Sequence, residues 1–260
     1  MQVDRGGADW VVRLLPLPAP FAGEALDSEA GKGDLCGLMA ASYFDVDGTL
    51  VSTNLVHPTV FYMLHQQTPL HSLAKIGAAA LRAPWLALAE LQDRRVFNEM
   101  LFASYGGMSE DRLLSLAEEA FEKVIKANLF PGARDLVRSC IDRGQEVVIV
   151  SGALDFLMQH LARYLGATGV IANRLEISHG TATGKLLRPV VAGPEKARLV
   201  REHAHTHGHD LDACFAYSDS YSDVPMLSIV GNPAAVNPDR KLRLLANAYH
   251  WPIIRLDRAA

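Results

Sequence analysis

The sequence predicts an α/β protein, a parallel β-sheet wrapped by helices and interrupted after its first strand by an all-helical insertion. Three observations carry this. First, short apolar runs (Ala41–Phe44, Glu146–Val150, Val170–Ala172, Cys214–Tyr217) alternate with helical segments beyond residue 129, and that alternation is the signature of a parallel sheet with right-handed crossovers. Second, residues 59–128 carry helical periodicity with few strand signals. Third, polar loops bearing Asp, Ser or Lys follow the strands, where open parallel sheets bind ligands.

The chain of 260 residues is 49% hydrophobic and 21% charged, an ordinary balance for a water-soluble protein. A net charge of −4 supplies no basic field for nucleic acid. Cys36, Cys140 and Cys214 are odd in number and widely spaced, which argues against a disulfide framework and for a reducing, cytoplasmic compartment.

Taken in order, residues 1–40 form no clear element and read as an N-terminal extension, partly disordered. They lack the basic start and unbroken apolar centre of a secretory signal, and Asp4, Asp9, Glu24, Asp27, Glu29 and Asp34 argue against a transit peptide. Ala41–Phe44 is a buried strand. Helices follow over Thr59–Gln67, His71–Arg82, Pro84 towards Phe102, and from the N-cap Ser109 to about Lys126. The apolar stretch Leu70–Leu91 is broken by Lys75, Arg82 and Pro84, so no transmembrane segment is expected. Its two readings are buried helix faces or a membrane- or partner-binding surface. Beyond residue 129 come a helix Ala133–Arg143 closed by Gly144, the strand Glu146–Val150, a helix Ala153–Leu165 closed by Gly166, and the strand at Val170 with Leu175–His179 as its neighbour. The helix Gly193–His203, the strand Cys214–Tyr217, the short helix Pro225–Ile229 and final strands at Ala234–Val236 and Ile253–Leu256 complete the core.

Asp45 and Asp47 end the first strand, and Gly48 turns the chain behind them. Two carboxylates facing one site suit a hard cation or an aspartyl-phosphate route with a nucleophile and a general acid. A solvated acidic turn is the competing reading. Ser151 and Gly152 follow the second strand, where a hydroxyl and a backbone N–H near a helix start can hold a phosphoryl oxygen, or serve as an ordinary helix N-cap. Lys196 sits in a first helical turn, where it opposes the helix dipole. Neutralising phosphate and aspartate charge gives it a reason, and a solvated surface lysine is the alternative. Asp219 and Asp223 follow a fourth strand and can complete an oxygen-ligand shell with Asp45. His203, His205, His207 and His209 alternate, a pattern that places them on different helix faces or, in a loop, lets them bind a transition metal.

Asp45-Val46-Asp47-Gly48-Thr49 resembles the first motif of the haloacid dehalogenase (HAD) superfamily, and the loops at Ser151, Lys196 and Asp219–Asp223 resemble its second, third and fourth in the phosphoserine-phosphatase-like branch, subfamily IB. Ser218 stands where the branch has glycine. The resemblance implies a HAD-type Rossmann-like core at 41–56 and 129–260 with a helical C1 cap at 57–128. It implies Mg2+-dependent hydrolysis of a phosphomonoester, with Asp45 as nucleophile, Asp47 as acid and base, Ser151, Gly152 and Lys196 on the phosphoryl group, and Asp45, Asp47 (through its carbonyl), Asp219 and Asp223 around the metal. The expected partner is a small-molecule phosphomonoester.

In that branch a glutamate at the entry to the cap reads the substrate ammonium. Asn54 occupies its place, so Asn54 is a substrate-binding candidate and phosphoserine is not the expected substrate. Arg94, Arg95 and Arg112 are candidates for a substrate carboxylate or second phosphate, and Glu90 and Glu99 for a replacement carboxylate. Other classes stay open: a regulatory HAD-like module binding a membrane or partner through its cap, or a phosphotransferase.

Overall fold

The computed structural model describes residues 40–65, 73, 77, 81, 84–86, 89 and 93–256. The expectations for the N-terminal extension, and most of those for Leu70–Leu91, lie outside these residues. Six strands form one wholly parallel sheet in the order β3-β2-β1-β6-β7-β8: β1 Ala41–Phe44, β2 Glu146–Leu154, β3 Gly169–Asn173, β6 Phe215–Ser218, β7 Asn232–Val236 and β8 Ile253–Ile254. The order reverses at β1, so a crevice opens between the carboxyl ends of β1 and its neighbours. All four residues of β1 are buried, as expected of a strand covered on both faces. Successive side chains serve opposite cores. Tyr43 and Val148 join one apolar cluster, while Phe44 and Ile149 join the other, where Phe44 stacks on Tyr217 at 4.3 Å.

The insertion leaves and re-enters the core through paired backbones. Ser52 N donates to Asn128 O at 2.9 Å, and Phe130 N donates to Leu50 O at 2.9 Å. Between them run α1 Val56–Leu64, α2 Arg94–Phe102, α3 Glu110–Ser115 and α4 Ala117–Ala120, followed by a wide π turn at Phe121–Ile125. Ser109 caps α3 as expected, accepting from Arg112 N at 3.3 Å. The helix expected from Pro84 towards Phe102 does not run unbroken. Asp93 is extended (φ −152°) and its side chain accepts from Arg95 N, which starts α2 afresh. Of the described residues in the apolar stretch, Leu73, Leu81 and Trp85 are exposed rather than buried, while Ala89 is buried. Among the described residues no helix is long and apolar enough to cross a membrane.

The core helices are α5 Ala133–Asp142, α6 Asp155–Leu165, α7 Pro194–His207, α8 Val224–Leu227 and α9 Arg240–Ala248. Three expectations need correction, and one helix has no counterpart among them. Leu175–Ser178 (β4) does not extend the main sheet beside β3; it pairs antiparallel with β5, Thr181–Leu186, in a separate hairpin. That hairpin holds the insertion through Ala182 N to Met108 O at 2.8 Å and Glu110 N to Gly180 O at 2.9 Å. Strand β2 runs on past Ser151 to Leu154, with a register shift against β3, so α6 starts two residues late. Helix α7 continues one turn beyond His203, because the left-handed residue that ends it is Gly208. Helix α9, unmarked in the sequence reading, is capped by Asp239, which accepts from Leu242 N at 2.7 Å. Cys140 and Cys214 are buried free thiols.

Candidate active site

The site assembles at the carboxyl ends of β1 and β6. Asp45 continues β1, its N–H bonded to Tyr217 O at 2.9 Å. Beyond it the chain folds into a tight loop in which Leu50 and Val51 both donate to Val46 O, and this returns Asp47 to the same cleft. Asp45, Asp47, Gly152, Lys196, Asp219 and Asp223 all line that cleft.

Lys196 is the hub. It is 6% exposed, and its Nζ lies 2.5 Å from Asp45 Oδ1 and 2.8 Å from Asp223 Oδ2. Lys196 is therefore not a solvated surface lysine. Burying the ammonium is tolerable because two carboxylates replace its water; stripping it away would leave both unpaired, at a cost of roughly 3–5 kcal/mol. Thr49 ties the first loop to the last: its Oγ1 donates to Asp45 Oδ2 at 3.0 Å and accepts from Asp219 N at 2.9 Å. Ser218, the departure from the branch pattern, has a role here. Its buried hydroxyl donates to Asp223 Oδ2 at 2.8 Å, a donor that glycine could not supply.

One ammonium serves four carboxylates, and the imbalance shows in their acidity. Burial first, and the charge of Asp45 second, raise the Asp47 pKa to about 7 and that of Asp219 to about 8. Burial also pushes Asp45 up, opposed by Lys196. The folded chain therefore holds protons that the unfolded chain has lost between about pH 4 and pH 8, so its stability falls as pH rises through that window. We expect Tm in the absence of divalent cations to drop from about pH 5 to about pH 8. A Tm that climbs over that range would contradict this crowding.

Two expected residues sit elsewhere. Ser151 is fully buried inside β2, and its Oγ accepts from Ala153 N at 3.0 Å. It lies at the register shift in β2 beside Gly152, which lines the cleft, and is not itself among the cleft-lining residues. Asn54 is exposed at the start of α1, with Oδ1 accepting from Val56 N at 3.2 Å and lying 2.9 Å from His57 Nδ1. Its neighbour Leu55 faces the cleft instead. With Asn54 outside the cleft, the argument against phosphoserine loses its premise.

From the insertion, Arg94 and Asn98 close the cleft. Arg94 was one of three candidate arginines. Of the others, Arg95 pairs with Glu99 at 3.4 Å, and Arg112 donates to His65 O at 3.0 Å. Asn98 went unnoticed in the sequence. It is 2% exposed, and among the described residues its Oδ1 has no hydrogen-bond partner. Its one signal was position: it lies four residues after Arg94, on the same helix face. Asn173 was also missed. It anchors the irregular end of β2 at Gly152, donating to Gly152 O at 2.7 Å and accepting from Val191 N at 2.8 Å.

Fold and site together are those of a Rossmann-like α/β hydrolase core with a helical insertion after its first strand. The chain belongs to the haloacid dehalogenase-like hydrolase family, whose model matches residues 43–228. It is 34% identical over 238 residues to the phosphoserine phosphatase SerB1 of Mycobacterium tuberculosis strain H37Rv, covering 91% of this chain and 76% of that protein. A Bordetella pertussis Tohama I protein of unknown function superposes with a TM-score of 0.73 at 25% identity, covering 83% of this chain and 98% of that one. A substrate-bound phosphoserine phosphatase shares the fold with a TM-score of 0.62 at 18% identity, covering 83% and 92%.

Proposed function

We propose that this protein is a Mg2+-dependent phosphomonoester hydrolase that works through an aspartyl-phosphate intermediate on a small phosphorylated metabolite. The observation that carries the reading is Lys196 bridging Asp45 and Asp223 in a cleft that also holds Asp47 and Asp219. The Asp45 carboxylate attacks phosphorus, and the bond from phosphorus to the leaving alcohol breaks. Asp47, whose raised pKa keeps a proton available near neutral pH, donates it to the departing oxygen. It then takes a proton from the water that hydrolyses the acyl phosphate, releasing inorganic phosphate and restoring Asp45. Lys196 sets the nucleophile's position and offers positive charge to the phosphoryl oxygens.

The donor set fits a magnesium ion: all oxygen, with more carboxylates than one lysine can neutralise. Asp45, Asp219 and the Asp47 carbonyl would hold it, with Asp223 in support through Lys196. When bound it supplies charge neutralisation to nucleophile and phosphate.

Specificity falls to Arg94 and Asn98. A guanidinium suits a carboxylate or second anion, and a buried acceptor without a donor is costly until a ligand hydroxyl or ammonium meets it. A phosphomonoester with an anionic group and a hydrogen-bond donor on its alcohol portion fits both, and phosphoserine, the substrate in the relatives' names, is of this class. The test is phosphate release across a phosphomonoester panel. Activity should require Mg2+ and vanish with excess chelator. Arg94→Ala should lower kcat/KM for carboxylate-bearing substrates about 10- to 100-fold, the value of one charge-assisted hydrogen bond, while sparing an aryl phosphate. Full activity in chelator would sink the assignment, and an equal loss on every substrate would remove Arg94 from recognition.

A further inference from the structure

The alternating histidines lie apart from the carboxylate cleft, and their arrangement is not the one their spacing of two suggests. Because α7 runs to His207, His203 and His207 are four residues apart on one helix and share a face. Their rings stack at 4.0 Å. Past Gly208 the chain turns and brings the His209 ring to 5.9 Å from His203 and 6.0 Å from His207. Glu146, the first residue of β2, meets the group from the sheet. Its Oε1 lies 4.0 Å from His203 Nε2 and its Oε2 lies 2.5 Å from His209 Nε2. One ligand atom from each of Glu146, His203 and His207 lies within 4.8 Å of the other two.

Surrounding hydrogen bonds already orient these groups. His207 Nδ1 lies 2.9 Å from His203 O. A carbonyl only accepts, so Nδ1 carries the proton and Nε2 keeps its lone pair. His203 Nδ1 is engaged by the Tyr43 hydroxyl at 3.2 Å, which leaves Nε2 towards Glu146. His209 steadies the carboxylate. Partners of this kind fix tautomer and direction in metal sites.

We propose that Glu146, His203 and His207 form a second metal site, which takes a transition ion of the Zn2+ class. Two imidazoles, one carboxylate and a solvent position make a set suited to Zn2+, whereas Mg2+ favours oxygen donors. Ligands of a tetrahedral zinc stand about 3.4 Å apart, so modest side-chain rotation, chiefly of the exposed His207, closes the set. The site lies at the opposite end of the sheet from the cleft: Glu146 precedes Ser151 by five residues of strand, roughly 16 Å. A bound ion ties the end of α7 to the start of β2 and stabilises the folded chain by mass action.

The experiment titrates untagged full-length protein with Co2+, a spectroscopic substitute for Zn2+, under saturating Mg2+ that fills the carboxylate cleft. We expect the strong visible bands of tetrahedral cobalt, saturating at one equivalent and abolished by Zn2+. His207→Ala and His203→Gln should each weaken binding about ten-fold or more, with metal-free Tm unchanged for the exposed His207. Asp219→Asn should leave the bands intact. Absent bands, bands that persist in both histidine variants, or bands lost in Asp219→Asn would each overturn the proposal.

Discussion

Asp45→Asn protein is expected to fold normally and to release phosphate at least about 10^4-fold more slowly, because removing a covalent nucleophile leaves only binding and electrostatic assistance. The amide keeps the volume of the carboxylate in a site where Asp45 is 5% exposed. Lys196 retains Asp223 as an ion partner at 2.8 Å, so no buried charge is orphaned and Tm should hold. Two measurements check this together: single-turnover phosphate release, and acid-stable trapping of labelled phosphate on the protein. The native protein should carry label and the variant none. Label on the Asp45→Asn chain would move the nucleophile elsewhere, and a large drop in Tm would mean that the lost activity says nothing about chemistry.

The second large effect depends on the substrate. Asp47→Asn should cost about 10^2- to 10^4-fold on an alkyl phosphate, whose alkoxide needs a proton as it leaves. The loss should be small for phosphoenzyme formation from an aryl phosphate with a good leaving group. The raised pKa of about 7 for Asp47 sets the pH dependence. The first chemical step needs the protonated form, so its rate on an alkyl phosphate should fall as pH rises through neutrality, and Asp47→Asn should abolish that limb. Equal penalties on both substrate types would falsify the acid assignment.

Much of this site was legible because its chemistry sits at the ends of short apolar strands. Asp45, Lys196, Asp219 and Asp223 could each be found by looking just past a strand or at a helix start, and the structure brings them together as the parallel-sheet reading anticipates. What failed to read out were contacts that depend on another element. Ser151 reads as a phosphoryl-binding hydroxyl, or as a helix N-cap, if the strand stops at Val150; β2 continues to Leu154, and the hydroxyl is buried and accepts from Ala153 N. Asn54 follows from counting along the chain from Asp45, but just ahead of α1 it is Leu55 that lines the cleft, while Asn54 is exposed and bonds to Val56 N. Asn98 and Asn173 carry no local pattern at all; their importance comes from what packs opposite. The histidines misled through periodicity, since a spacing of two hides a spacing of four, and the helix end that decides between them is set by Gly208.

The strand order also bears on how the protein is made. β1 is central, paired with β2 on one side and β6 on the other, yet Phe215 leaves the ribosome 174 residues after Ala41. At 5–20 residues per second that delay is roughly 10 to 35 s. For that interval one edge of a strand that is wholly buried in the fold lacks its partner, an invitation to wrong pairing that a nascent-chain chaperone is suited to shield. The same delay works as a safeguard. Asp45 and Asp47 emerge early, but Lys196, Asp219 and Asp223 arrive only with the last third of the chain, so a translation product truncated before Asp223 lacks part of the set.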